Sequence, residues 1–206
     1  MKNSVFSTDA SKMPINKREI LRYAGIRGES TESDELLESC LALALPTLTS
    51  QIVYTEIPVT QKGEGALDLG FATVRSQALA KRLSGCRRAV VFAATVGIQF
   101  DRLLARYSLL SPAKALLLDA IGNERVEALC DAFEVYLQNE KIEKGSKLCQ
   151  RFSPGYADLP LSFQKKIFSV LECGPAIGLY LGEQLLMSPS KSVTAVIGIA
   201  DSDLFE

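Results

Sequence analysis

The chain contains no histidine. That absence removes the usual general base, the usual zinc and haem ligand, and any Ser-His or Cys-His nucleophilic pair. Long apolar runs are missing too: the longest, Ala89 to Ile98, falls far below the roughly 20 residues that a membrane-spanning helix requires. Net charge is nearly absent, with 23 lysines and arginines against 24 acidic residues, so there is no basic field to gather phosphate backbones or anionic lipid. Nucleic acid and membrane surfaces are therefore not expected as partners. The stretch Met1 to Met13 is polar and lacks the basic start and apolar core of a secretion signal; it is read as a flexible N-terminal tail on a cytoplasmic protein. Cys40, Cys86, Cys130, Cys149 and Cys173 are widely spaced, without the paired spacing of metal knuckles or redox motifs, and are read as buried reduced thiols. No glycine-rich loop leads from a strand into a helix with nucleotide-binding spacing, and Gly63 with Gly65 is read as a turn.

What is present suits one globular domain, residues 14–206, since 206 residues are ample to enclose a core. Amphipathic spacing predicts a helix over Ile15 to Tyr23 with Gly25 as its cap, and a second through Leu36, Leu37, Cys40, Leu41 and Leu45, opened by Ser33 or Asp34 and ended near Pro46. Ile52 to Val59 is rich in β-branched and aromatic residues and predicts a strand, followed by a turn at Lys62 to Gly65. Thr73 to Leu83 has helical spacing, and Arg87 to Gly97 predicts a buried strand at the centre of a sheet. Ser111 and Pro112 open the longest helix, running to about Ile142 with Val126, Leu129, Cys130, Phe133 and Leu137 on one stripe, bent at Gly122 and Asn123 and left at Gly145. A loop from Arg151 to Pro160, a helix at Ser162 to Leu171, and two strand-like runs, Gly178 to Met187 and Ser192 to Ile199 about a turn at Pro189, complete the chain. If those runs pair as a hairpin, the sheet is at least partly antiparallel. The class is α+β, without internal repeats.

One segment concentrates chemistry: Arg151-Phe152-Ser153-Pro154-Gly155-Tyr156-Ala157-Asp158-Leu159-Pro160. Arg151 can hold a carboxylate with both arms of its guanidinium, the Pro154-Gly155 turn can present backbone groups to a ligand, and Tyr156 can stack on a flat polar group. An amino-acid-bearing nucleoside suits that set. The competing account is a surface loop whose arginine pairs with an exposed carboxylate of the protein.

The segment resembles the Arg-x-x-x-Gly-Tyr-x-x-x-Pro signature of the activation domain of vitamin B12-dependent methionine synthase. The stretch Gly178 to Val193 is similar to that family's segment beyond the signature loop, at its glycine, glutamate, methionine, proline and Ser-Val positions, and weaker likeness covers Ile15 to Gly28, Ala89 to Asp101 and the helix from Asp119. The resemblance implies a bent, mainly antiparallel sheet flanked by helices, binding S-adenosylmethionine. It implies that Arg151 holds the ligand's carboxylate, that Ser153, Pro154 and Gly155 line the turn, and that Tyr156 touches the ligand. Asp131 falls where the family carries a ligand-contacting glutamate, Asn16 where it carries an aspartate, and Glu127 lies beside them; for these three a solvated helix face or a cap is the alternative. Leu159 stands at a usual cysteine position, and the family's C-terminal extension is not seen after the last strand.

The family's corrinoid modules ligate cobalt through a histidine, which this chain lacks, so cobalamin is expected only on a partner: a cobalamin-binding methionine synthase or related corrinoid protein. The implied role is a stand-alone module for reductive reactivation in methionine biosynthesis, with flavodoxin or ferredoxin as electron donor. It contributes positioning and charge, with no catalytic residue and no metal ligand of its own. The alternative is a non-catalytic adaptor that has lost S-adenosylmethionine binding, suggested by the departures at Asn16 and Asp131.

Overall fold

The computed structural model describes residues 2–27, 31–140 and 145–200. In chain order they form β1 (Ser4–Ser7), α1 (Lys17–Tyr23), α2 (Thr31–Ala44), β2 (Gln51–Pro58), β3 (Thr60–Gly63), β4 (Ala66–Asp68), β5 (Thr73–Arg75), α3 (Gln77–Arg82), β6 (Cys86–Thr95), α4 (Ile98–Leu110) and α5 (Pro112–Glu140). There follow β7 (Lys147–Leu148), α6 (Gln164–Leu171), α7 (Cys173–Ile177), β8 (Tyr180–Leu181), β9 (Met187–Ser188) and β10 (Ser192–Ala200). Five strands make an antiparallel sheet in the order β1-β2-β6-β10-β7, with β6 at its centre as the Ala89–Ala94 run predicts. The mixed class and the mainly antiparallel sheet flanked by helices are thus as expected.

The period of two along the strands explains the layers. Ala89, Val91 and Ala93 of β6, with Val53, Ile57 and Val196, point to a core closed by α3, α6 and α7. Val90, Phe92 and Ala94, with Ile52, Ala195 and Ile197, point to the other face, where α5 lays Leu129, Cys130, Phe133 and Leu137. A strand buried on both faces reads as an unbroken apolar run, which is why β6 was legible. The first half of α5 packs a third core with α1, α2 and α4 through Ile20, Leu37, Leu41, Phe100, Leu117 and Ile121.

Several expectations are corrected. The residues read as a flexible tail include β1, which pairs with β2 from Ser4 opposite Tyr54 to Ser7 opposite Gln51. Apolar burial holds it there: the Phe6 ring lies 5.5 Å from Phe133 and 4.8 Å from Tyr136, and Ala10 and Met13 are buried. Thr73 to Leu83 is not one helix, because Thr73–Arg75 pairs with β4 and Ser76 then caps α3, its hydroxyl accepting from the Leu79 amide at 3.1 Å. The two final runs do not pair with each other. β8 and β9 form their own small hairpin, while β10, apolar on both faces, lies between β6 and β7, where both faces are covered. Gly122 lies inside the unbroken α5, and its role is close approach: a Cβ there would stand 2.5 Å from the Phe100 ring and 2.8 Å from Lys191. Asp101 and Arg102 belong to α4, a helix additional to the elements expected from sequence. The expected helix end at Ile142 and the end of the N-terminal likeness at Gly28 lie outside the described residues. Cys40, Cys86, Cys130 and Cys173 are buried and Cys149 is half-buried, yet the Cys86 and Cys149 sulfurs, far apart in sequence, come within 3.5 Å. Their spacing gave no hint because β10 brings them together: Gly198 makes room, a Cβ on it falling 2.7 Å from one sulfur and 3.2 Å from the other.

Candidate functional site

Residues 127, 131 and 134 recur at four and three along α5, so Glu127, Asp131 and Glu134 share one face of that helix. Arg151 reaches this face from the chain leaving β7, where the Phe152 amide and carbonyl pair with Val196 at 2.9 Å each and fix its direction. Its guanidinium donates to Glu127 and Glu134 at 2.6 Å each and to Asp131 at 2.7 Å. The Arg151 side chain is 22% exposed and Asp131 69%, so the stripe runs from half-buried to open water. Burial works against the charge of Arg151, but Glu134, Glu127 and Asp131 more than reverse it and hold the guanidinium above its ordinary pKa. Three carboxylates against one guanidinium leave the stripe negative.

The loop beyond Arg151 is a tight turn. Gly155 takes φ 92°, the left-handed region that favours glycine, and Ala157 takes 48°. The Gly155 amide donates to the Leu159 carbonyl at 2.9 Å and the Leu159 amide to the Tyr156 carbonyl at 3.0 Å. Leu159 and Pro154 are buried beneath, whereas Tyr156 is 68% exposed. Asp158 clamps the turn to α3: its carboxylate accepts from the Ser76 hydroxyl at 2.5 Å and the amides of Gln77 and Ala78 at 2.6 and 3.2 Å.

The Ser76 hydroxyl first, with the Gln77 and Ala78 amides, draws the Asp158 pKa below its ordinary value against a smaller opposing effect of burial. A lowered folded pKa means that the clamp stabilises fully above the ordinary carboxylate range and is lost as pH falls through the folded value. The expected result is that Asp158→Asn lowers the urea midpoint at neutral pH and speeds amide exchange over residues 153–157. The gap to the parent closes in acid; a gap independent of pH would count against the clamp.

A cleft of about 730 Å³ opens here, within the usual range for small-ligand sites. It is lined by Arg151, Ser153, Pro154 and Tyr156 from the loop and by Glu127 and Asp131 from α5. Met187, Ser192 and Val193, from the segment of the second sequence likeness, complete it with Thr194, Arg82, Gln150 and Gln164. Gln164 and Thr194 are 5% and 2% exposed, and Gln164 Oε1 and Thr194 Oγ1 have no protein partner. Buried oxygens without partners are uncommon and mark places where a ligand or water completes the bonding.

Asn16 lies across the ridge, in a second cleft of about 630 Å³ that shares Glu127 and Asp131. Its side-chain oxygen caps α1 by accepting from the Glu19 amide at 3.2 Å, and its backbone N–H donates to Glu124 at 2.9 Å. The structure therefore groups Arg151, Ser153, Pro154, Tyr156, Glu127 and Asp131 in one cleft with Gly155 in its turn, and leaves Asn16 on the far side of the acids. Among the described residues no cluster of histidine, cysteine, aspartate or glutamate suits a metal ion, and no helix is long and apolar enough to cross a membrane.

Glu134, Arg82, Gln164, Thr194 and Asp158 were missed by sequence reasoning. Glu134 was within reach, because its spacing from Asp131 continues the helical stripe. For Asp158 no local signal exists, since its partners lie some eighty residues away.

Comparison with known proteins yields a fold. No family model matches the chain, and no curated protein matches it. Among solved structures, the chain is similar to one described as the MetH reactivation domain bound to AdoHcy, with a TM-score of 0.70 at 16% identity over 96% of this chain and 78% of that one. The chain has the fold of that reactivation domain, a curled antiparallel sheet flanked by helices.

Proposed function

We propose that this chain binds S-adenosylmethionine in the Arg151 cleft and supports reductive methylation of cobalamin carried on a separate B12-dependent methionine synthase, with flavodoxin or ferredoxin as electron source. The observation that carries the reading is the net negative stripe of Glu127, Asp131 and Glu134 around Arg151, facing a cleft of small-ligand size. S-adenosylmethionine bears a sulfonium and an ammonium against one carboxylate, so a site with surplus negative charge favours it. The fold shared with a reactivation domain solved with AdoHcy, the demethylated relative of this ligand, points the same way.

The chain's own part is to bind and orient. Glu127 and Asp131 meet the cationic groups, Tyr156 offers an exposed ring to the adenine, and the unpartnered oxygens of Gln164 and Thr194 accept from the nucleoside. The bound ligand supplies a methyl group activated by its sulfonium, and its displacement needs no acid or base from this chain. Holding Arg151 among three carboxylates fixes the stripe in one geometry, which lowers the entropy to be lost on binding.

The alternative adaptor reading has two observations in its favour: the Arg151 guanidinium is already matched by carboxylates of the protein, and the Asn16 side chain is engaged as a cap. Calorimetric titration with S-adenosylmethionine separates the two. Saturable binding, followed by transfer of a labelled methyl group to a histidine-ligated corrinoid protein in the presence of a reductant, supports the proposal. Capture of the corrinoid protein without any binding of S-adenosylmethionine supports the adaptor instead.

A further inference from the structure

We propose that Glu134 is a positioning residue for ligand binding: it holds the Arg151 guanidinium in the orientation in which its open donors take the ligand's carboxylate. The inference rests on the ligand reading above and concerns the third acid of the α5 stripe. The three carboxylates around Arg151 are not alike. Glu127 and Asp131 line both the Arg151 cleft and the second cleft across the ridge, whereas Glu134 lines neither of the two. The side chains of Glu127 and Asp131 are 43% and 69% exposed, that of Glu134 27%. Glu134 therefore meets Arg151 from outside both clefts, where a ligand does not compete for it.

Fixed neighbours hold both ends of the contact. Phe133, next to Glu134 on α5, is fully buried against the rings of Phe6, Tyr54 and Phe92. Phe152, next to Arg151, is bonded to Val196 through its amide and its carbonyl. With both backbones held, the 2.6 Å charge-assisted bond from Nη1 to Glu134 selects one conformation among the many open to a long side chain. Burial opposes the guanidinium charge most strongly, and of the three acids Glu134 does most to reverse it. Nη1 donates to Glu134 and Asp131, and Nη2 to Glu127. These bonds use three of the five N–H donors, which leaves the Nε–H and one Nη2 N–H without a partner among the described residues. A ligand carboxylate can bond to these remaining donors while Glu134 keeps its own, and Glu127 and Asp131 stay on the cleft side for the ligand's cationic groups.

Calorimetry with S-adenosylmethionine and its decarboxylated analogue tests the assignment, on the parent protein, Glu134→Ala and Glu134→Gln. The quantity read is the ratio of the two affinities. In Glu134→Ala the preference for S-adenosylmethionine over the analogue is expected to fall about tenfold, within the range over which members of one ion-pair network couple. Glu134→Gln, which keeps an acceptor for Nη1, is expected to restore most of it. A role in charge alone gives the opposite sign: with one negative charge fewer, the site loses more of the analogue, which carries the greater net positive charge, and the preference rises. A rise in Glu134→Ala, or a preference that stays the same whether or not both ligands weaken, would overturn the assignment while leaving the ligand reading intact. Failure of the parent to bind either ligand would remove the ligand reading and this assignment together.

Discussion

Replacing Arg125 with methionine is expected to destabilise the protein by about 3–5 kcal/mol, the range for removing one partner of a buried ion pair. The Arg125 side chain is fully buried and its neighbour Glu124 is 6% exposed. The guanidinium meets Glu124 through two bonds, at 2.5 and 2.6 Å, and donates to the carbonyls of Met13 and Pro14. Glu124 in turn accepts from the Asn16 amide, so the pair ties the chain entering α1 to α5. Methionine fills much of the volume but leaves a buried carboxylate and two carbonyls without their donor, and that desolvation dominates the loss. Urea unfolding measures it. The double replacement Glu124→Gln with Arg125→Met is expected to recover part of the stability, because an uncharged pair no longer strands a charge. A single variant within about 0.5 kcal/mol of the parent, the range of ordinary surface changes, would show that the pair does not hold this junction.

Arg151→Ala is expected to cost about 1–3 kcal/mol at low salt, less than the Arg125 change because its partners are nearer to water. Glu134 is 27% exposed and Glu127 43%, and these two account for most of the effect; Asp131, more exposed still, adds little. Removing the guanidinium leaves three carboxylates along one face of α5, and like charges at helical spacing repel. Near 1 M salt, where the screening length is about 3 Å, much of the loss is expected to return, which a plain packing defect would not do. Thermal unfolding at two salt concentrations reads this directly, and the absence of any salt effect would exclude repulsion as the cause. S-adenosylmethionine binding is expected to fall in the same variant, because the stripe loses its fixed geometry.

How far the sequence reached depended on whether a residue's partners lie within one period of its own element. β6 could be read because a strand covered on both faces has to be apolar throughout, and the start of α5 because Ser111 and Pro112 open it. The Arg151 loop stood out by composition, and its arginine pairs with carboxylates of the protein at the wall of a cleft. A cap was among the roles in view for Asn16, and its side chain caps the start of α1. Thr73–Arg75 was misread because three residues of strand carry too little pattern to compete with the helical spacing beyond them.

By itself, then, the sequence determined the α+β class, the central strand, the long helix and the position of a polar loop, since each follows from local periodicity and turn chemistry. It also ruled out histidine-based chemistry, because no tertiary structure can supply an absent side chain. Only the tertiary structure decided which carboxylates surround Arg151, that Asp158 clamps the loop to α3, that β1 closes the sheet edge, and that Arg82 shares the cleft. The physical reason is that a hydrogen bond or an ion pair is a matter of a few ångströms in space, and the partners that meet in this cleft are separated in sequence by as few as 20 residues or as many as 68.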